Sequence, residues 1–385
     1  MVSVTIPGAD GSMEKVDLRE PADLAEAAKA PTSRVAYAAA HVVADPLRAS
    51  ASAKPGAVDW DATLRQRHRL WDLGLGVAEA MDTAQRGMGI TWKDVQTLID
   101  LTLREGAAVG GTCVVGIATD SLPAGPTDLR AIVDAYVEQL TFVEERGGTA
   151  VMMASRQLAV SASSPEDYQR VYADVLAQAT RPVVLHWLGD AFDPALTGYW
   201  GADSIDAARG VVTDLIVANA DRVEGIKVSV LDPAVEVALR AELPEPVKTY
   251  TGDDYNYVDL IEGDGIHHSH ALLGAFAAVA PFAREALARL DDGDTAGFRS
   301  VLEPTVPLSR LIFEAPTAYY KTGIVWLAYL AGHQDHFRML GGLESGRSIA
   351  HLVEIFRRAE RIGLFSDPDL TAGRLTTFLR SHGLS

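Results

Sequence analysis

The sequence predicts an α/β protein, a closed (β/α)8 TIM barrel followed by a C-terminal helical extension. Short β-rich runs alternate with helical patterns along most of the chain. The runs are close to continuously apolar, as strands covered on both faces must be. Eight of them pass before the pattern turns wholly helical. Eight strands alternating with helices close into a parallel barrel with the helices outside.

The first run, from Arg34 to Val43, is alanine-rich, so it is a weak strand former whose small side chains leave room for a ligand or a close helix. Gly76 to Met81, Thr112 to Ala118 and Thr149 to Ala154 follow. The second half of the barrel is expected at Pro182 to Trp187, Gly225 to Ser229, Val247 to Gly252 and Gly265 to Ser269. Helices are expected between them, over Asp59 to Leu73, Thr91 to Arg104, Thr127 to Glu145, Ser164 to Ala179 and Ser204 to Ala220. Thr91 and Ser164 have the chemistry of N-caps, and Pro165 suits a first helical position. The chain therefore divides into an N-terminal appendage over 1–32, read as a hairpin and helix, a barrel over 33–277 and helices over 278–385.

Composition narrows the function classes. A formal net charge of −18 with 34 Lys and Arg against 52 Asp and Glu opposes binding to nucleic acid or an anionic membrane. The start of the chain lacks a basic segment followed by an apolar one, and no later stretch is apolar for long enough to span a bilayer, so a soluble cytoplasmic protein is expected. The single cysteine, Cys113, excludes an intramolecular disulfide and reads as strand packing.

In this fold the active site is built at strand C-termini and the loops after them. That rule selects Asp82, Thr83, Arg86, Asp120, Arg156, His186, Asp190, Lys227, Asp253, Asp254, His267, His268 and His270. Lys227 stands apart because it lies inside the apolar run Val223-Glu-Gly-Ile-Lys-Val-Ser, where an ammonium is costly to bury without a partner or a lowered pKa. A desolvated lysine is a good nucleophile toward carbonyls; the alternative is a structural ion pair with Asp253 or Asp254. His268 and His270 alternate on the expected eighth strand and, with Asp120 or Asp254, would be a set for a divalent metal. Gly263-Asp264-Gly265 is either a phosphate cradle or, since it carries an acid, a plain turn.

Several ordered motifs carry a resemblance. They are Val58-Asp59-Trp60 with Gly74-Leu75-Gly76-Val77, then Asp82-Thr83-Ala84-Gln85-Arg86, then Ile90-Thr91 with Asp94. Gly225-Ile226-Lys227, Thr251-Gly252-Asp253-Asp254 and Phe313-Glu314-Ala315-Pro316 with Lys321 complete the series. From about Ser33 to Phe365 the chain resembles the dihydrodipicolinate synthase and N-acetylneuraminate lyase superfamily of class I aldolases, and within it a divergent DUF993-like branch.

The resemblance implies that Lys227 forms an imine with a small carbonyl substrate, without a metal or other cofactor, in a homo-oligomer. His186 stands where the family has a proton-shuttling tyrosine, and imidazole can do acid–base work near neutrality. Of the family's threonine pair Thr83 remains and Ala84 replaces its neighbour, leaving only a backbone amide as donor. Arg86 and Arg156 replace an acid and an aromatic, and two forked guanidinium groups would suit a carboxylate, a phosphate or a polyhydroxylated acid unless acids such as Asp120 pair with them. Asp120, Asp253 and Asp254 join them as expected substrate contacts. The expected function is thus a Schiff-base aldolase or lyase acting on a small oxo acid or sugar-derived carbonyl compound. Two alternatives are a metal-dependent sugar isomerase or epimerase and a barrel that binds a metabolite without turnover.

Overall fold

A computed structural model describes residues 2–8, 11–24, 30–52 and 54–384. A short antiparallel hairpin, β1 (Ser3–Pro7) and β2 (Met13–Asp17), comes first. The helix expected before Ser33 falls mainly on residues 25–29, outside the described residues. Then follow β3 (Ala36–Ala39), β4 (Gly76–Glu79), β5 (Cys113–Ile117), β6 (Thr149–Met152), β7 (Val183–Leu188), β8 (Val223–Ser229), β9 (Lys248–Thr251) and β10 (His270–Leu273). All eight pair in parallel with their neighbours, and β10 closes against β3, so the sheet is a (β/α)8 barrel.

The helices between strands are α1 (Trp60–Asp72), α2 (Trp92–Val109), α3 (Leu129–Glu144), α4 (Arg156–Ser161), α5 (Pro165–Gln178), α6 (Ile205–Ala218), α7 (Pro233–Glu242) and α8 (Tyr257–Glu262). Their starts are set by local chemistry. Asp59 accepts from the Ala62 amide at 2.9 Å and Thr91 from that of Asp94 at 3.3 Å. Ser164 makes no such bond, and Pro165 at the first position starts α5 instead.

Alternation along each strand divides two apolar layers. Val183, Leu185 and Trp187 of β7 pack outward under the helices, whereas Val184 joins Val114, Val151 and Leu272 inside the barrel. The small residues of β3 serve both sides: Ala36 and Ala38 pack against C-terminal helices and Ala39 faces the interior. Those helices are α9 (Ala275–Ala278), α10 (Ala280–Asp291), α11 (Thr295–Leu302), α12 (Val306–Ile312), α13 (Tyr320–Leu330), α14 (Ile349–Arg361) and α15 (Pro368–Ser381). Val4 and Ile6 of the hairpin are buried in the same cluster, so the N-terminal appendage is stapled to the C-terminal extension. Among the described residues no helix is long and apolar enough to cross a membrane.

The eighth strand begins later than the sequence suggests. Gly263 and Gly265 have φ of 88° and 87°, and the Asp264 carboxylate accepts from the amides of Ile266 and His267 at 2.9 and 2.7 Å. This turn occupies the segment read as strand, which starts only at His270. Residues 265–269 therefore lie at the N-terminal end of the barrel, away from the mouth where chemistry is expected.

Candidate active site

The mouth is organised around the end of β4. Glu79 is fully buried and pairs with Arg67 of α1 at 2.8 and 2.9 Å, while Arg67 also donates to the carbonyls of His41 and Thr63. The same carboxylate accepts from the Ala80 amide at 2.7 Å and the Thr102 hydroxyl at 2.6 Å. This holds Ala80 at φ 53°, a left-handed conformation that an L side chain adopts only when its surroundings enforce it. Gln85, at φ 61°, is clamped by two hydrogen bonds to the backbone of Leu340. Between these anchors the loop presents Asp82 and Thr83 to the mouth.

Lys227 lies near the C-terminal end of β8, its side chain directed into a small cavity. Ala39, Asp82, Thr83, Ser229, Asp254 and Tyr320 are among the walls, with Leu188 and Phe192 above. Space for solvent in it is only about 10 Å³, room for roughly one water molecule. Gly252 makes this placement possible, because a Cβ there would lie 2.6 Å from Lys227 Cε and 2.1 Å from Ser229 Oγ. Among the described residues no carboxylate comes within ion-pair distance of Nζ. Burial pushes the Lys227 pKa down, with Asp254 and Asp82 pulling the other way. Burial raises the Asp254 carboxyl to about 7, although its Oδ1 accepts from the Ala275 amide at 2.8 Å.

A phenol completes the cavity. Tyr320, at the start of α13, shares a 2.7 Å hydrogen bond with Thr83 Oγ1, and its ring stacks on Phe313 at 4.4 Å. Burial raises its pKa well above the ordinary phenol value, so it stays protonated and able to donate. His186, beside Lys227 in register on β7, is also fully buried, but it does not line the cavity. Its Nε2 lies 3.1 Å from the Ser229 hydroxyl and its Nδ1 has no protein partner. Burial and the Lys227 charge push its pKa well down, so the imidazole is neutral and reaches the cavity only through Ser229.

Other expected residues are engaged elsewhere. Arg86 forms a forked pair with Asp120 at 2.8 Å twice and donates to Gly116 O and Gln139 Oε1 at 2.6 Å each. With its donors used, it fastens loops after β4 and β5 and does not offer the fork expected for a substrate anion. The Ala84 amide donates to Met81 O at 3.0 Å, which closes a turn and removes the expected oxyanion donor. Asp253 caps its own turn through the Tyr255 and Asn256 amides, leaving Asp254 as the member of the pair in the cavity. Arg156 is exposed and pairs with Asp193 at the rim of a larger cleft of about 450 Å³. That cleft shares Asp82 and Leu188 with the Lys227 cavity and is also lined by Asp120, Thr119 and Gln157. Asp190 lines a separate cavity beside α6.

The metal expectation does not survive the turn at Asp264. His270 Nδ1 accepts from the Val35 amide at 3.0 Å at the N-terminal end of the barrel, with His268 stacked edge-on against it at 5.2 Å. Both lie at or before the start of β10, whereas Asp254 and Asp120 follow the ends of β9 and β5. Among the described residues no three His, Cys, Asp or Glu side chains converge as a ligand set.

The family model described as protein of unknown function (DUF993) matches residues 4–384. The chain belongs to the DUF993 family. A comparison with curated proteins returned no match. Among solved structures, dihydrodipicolinate synthase from Aquifex aeolicus is similar at TM-score 0.63 and 12% identity, over 86% of this chain and 98% of that one. The dihydrodipicolinate synthase from Agrobacterium tumefaciens gives 0.62 and 16%, over 86% and 98%. CdNal from Clostridium difficile, solved with mannosamine, gives 0.62 and 14% over the same shares. At such identities the likeness establishes the barrel fold.

Two polar residues of this DUF993 cavity were not anticipated. Ser229 follows Lys227 by two and so shares its face of β8, a signal that period-two reasoning carries. Tyr320 comes from the helical extension, and nothing in Tyr319-Tyr320-Lys321 alone says that it returns to the barrel mouth.

Proposed function

We propose that this DUF993 protein is a class I, Schiff-base lyase acting on a small oxo acid or a sugar-derived carbonyl compound through Lys227. The single observation that carries the reading is a buried amine with no carboxylate in ion-pair contact, facing a cavity at the mouth of a parallel barrel. Fold likeness to dihydrodipicolinate synthases and to a protein solved with mannosamine supports it.

The chemistry follows from the geometry. A lowered pKa enlarges the neutral fraction of Lys227 near neutrality, and that form attacks the carbonyl carbon. The carbinolamine loses water to give a protonated imine. When the hydroxyl on the carbon two positions from the imine carbon gives up its proton, the intervening carbon–carbon bond breaks. Its electron pair ends on the imine nitrogen as an enamine, and the other fragment leaves as a carbonyl compound. Protonation of the enamine and hydrolysis free the lysine.

Proton traffic is assigned to the groups lining the cavity. Tyr320, bonded to Thr83, donates to and recovers a proton from the substrate oxygen, and Asp254 exchanges protons near neutrality. His186 orients Ser229 from below. The body of the substrate lies in the 450 Å³ cleft and its carbonyl reaches past Leu188 and Asp82. With Arg86 and Arg156 both paired to acids, the cleft favours a polar, hydroxylated chain over a second strong anion.

Borohydride reduction in the presence of a panel of 2-oxo acids and open-chain sugar acids tests the reading. A substrate-sized mass increment on the Lys227 peptide, absent from Lys227→Met, is expected. A panel-wide lack of any increment, or one that persists in the variant, overturns it.

A further inference from the structure

Another cavity, of about 590 Å³, lies between α1 and the C-terminal helices and shares no lining residue with the Lys227 cavity or its cleft. Arg65, His68 and Arg69 project into it from α1, and His333 faces them from the segment after α13. Asp72 is the one acid among its walls, in a chain whose formal net charge is −18. Leu73, Pro281 and Leu364 supply an apolar side.

Arg69 is the informative residue. Two positions earlier on the same helix Arg67 has Glu79 and two carbonyls. Among the described residues the Arg69 guanidinium neither donates a hydrogen bond nor pairs with a carboxylate, and the titratable groups that feel it, His41 and His333, are bases that it helps keep neutral. Burial lowers its pKa to about 10, and burial together with Arg69 drives His333 down to about 3. A partly buried guanidinium with five donors and no acceptor is an incomplete arrangement. An oxyanion is the complement that its planar fork matches.

We infer that this cavity is a binding site for a small metabolite bearing an oxyanion, seated by the Arg69 fork with Arg65 and His333 around it, His68 being held by Glu105 at 3.4 Å, and its carbon portion against Leu73 and Leu364. The C-terminal end of α1 leads into the start of β4, so the site lies toward the N-terminal end of the barrel, opposite the mouth. Occupancy would tie α1 to the C-terminal extension, the part of the chain that delivers Tyr320 to the mouth. The inference does not depend on the role assigned to Lys227.

The test uses the full chain in a phosphate-free buffer at constant ionic strength, titrated separately with inorganic phosphate and with succinate to about 20 mM, followed by calorimetry and thermal unfolding. Saturable binding with a rise in the unfolding midpoint of about 3 °C is expected for at least one anion, and which one responds separates phosphate from carboxylate recognition. Arg69→Met should abolish the response while unfolding no earlier than wild type without anion, since it removes a cation that has no partner. Arg69→Lys, which keeps the charge and loses the fork, should bind about tenfold more weakly. No saturable response to either anion, or equal responses in wild type and Arg69→Met, overturns the inference.

Discussion

The two ends of the barrel each hold a lysine on a strand, and they treat it oppositely. At the N-terminal end Lys248 of β9 pairs with Glu224 at 2.8 Å, and Tyr250 donates to the same carboxylate oxygen at 2.9 Å. At the C-terminal end Lys227 of the adjacent β8 is buried with Asp254 and Asp82 near but not in contact. Neutralising a lysine was thus within reach of this sequence, and at the mouth it is left undone. An amine held out of water without an ion pair is costly to the fold and useful to carbonyl chemistry. On the proposed reading the base of the barrel serves stability and the mouth serves reactivity.

The largest expected effect separates these lysines. Lys227→Met should lower turnover by about 10³-fold or more once a substrate is found, whereas Lys248→Met should leave kcat within about threefold and lower stability by about 1 kcal/mol, because the pair is partly exposed. Steady-state kinetics and urea unfolding on both variants measure the contrast.

Tyr320→Phe removes one hydroxyl from the mouth. It should reduce kcat by about 10²-fold while stability changes by about 1 kcal/mol, the cost of the bond to Thr83. Equal losses of activity in Tyr320→Phe and in a variant at the barrel base would erase the distinction between the two ends.

Arg86→Met tests the claim that some mouth residues are scaffolding. It takes the guanidinium from Asp120 and Gln139, which keep their 3.1 Å bond to each other and the Ala118 amide on Gln139, and a stability loss of about 2 kcal/mol is expected in urea unfolding. The KM for an uncharged hydroxylated substrate should change little. A large rise in KM with unaltered stability would return Arg86 to substrate binding.

The smallest effect is a pH dependence. The Asp254 carboxyl is raised to about 7 in the folded state, against about 3.9 unfolded, so the folded protein holds that proton more tightly. Its contribution is complete below about pH 4 and is lost as pH rises through about 7. Wild type should therefore lose stability as pH rises from about 4 to about 7, and Asp254→Asn should flatten that slope in urea unfolding. A steeper slope in the variant would contradict the buried, proton-holding carboxyl.

What could be read from the sequence followed the range of the interactions involved. Apolar runs with strand length sufficed for the barrel, and a lysine inside such a run was visible as an anomaly before any coordinate. The eighth strand was misplaced because His267-His268-Ser269-His270 imitates alternation, while the deciding element is the Asp264 side chain bonding its own turn. Arg67 with Glu79, which fixes the loop before Thr83, pairs a helix with a strand and leaves no periodic trace. Arg86 and Asp120 lie on different loops, so the sequence showed two substrate-like residues where folding makes one ion pair. Tyr320 depends on how the helical extension folds back, the least local feature of all.

The account rests on Lys227 being an amine whose proton is easily lost. Titrating the lysine Cε resonances of isotopically labelled protein by NMR, with Lys227→Met providing the assignment, measures this directly. A resonance missing from the variant that titrates clearly below the ordinary lysine value of 10.5 is the expected result. One that titrates at or above that value would mean a well-solvated or ion-paired ammonium, and the covalent mechanism would fall.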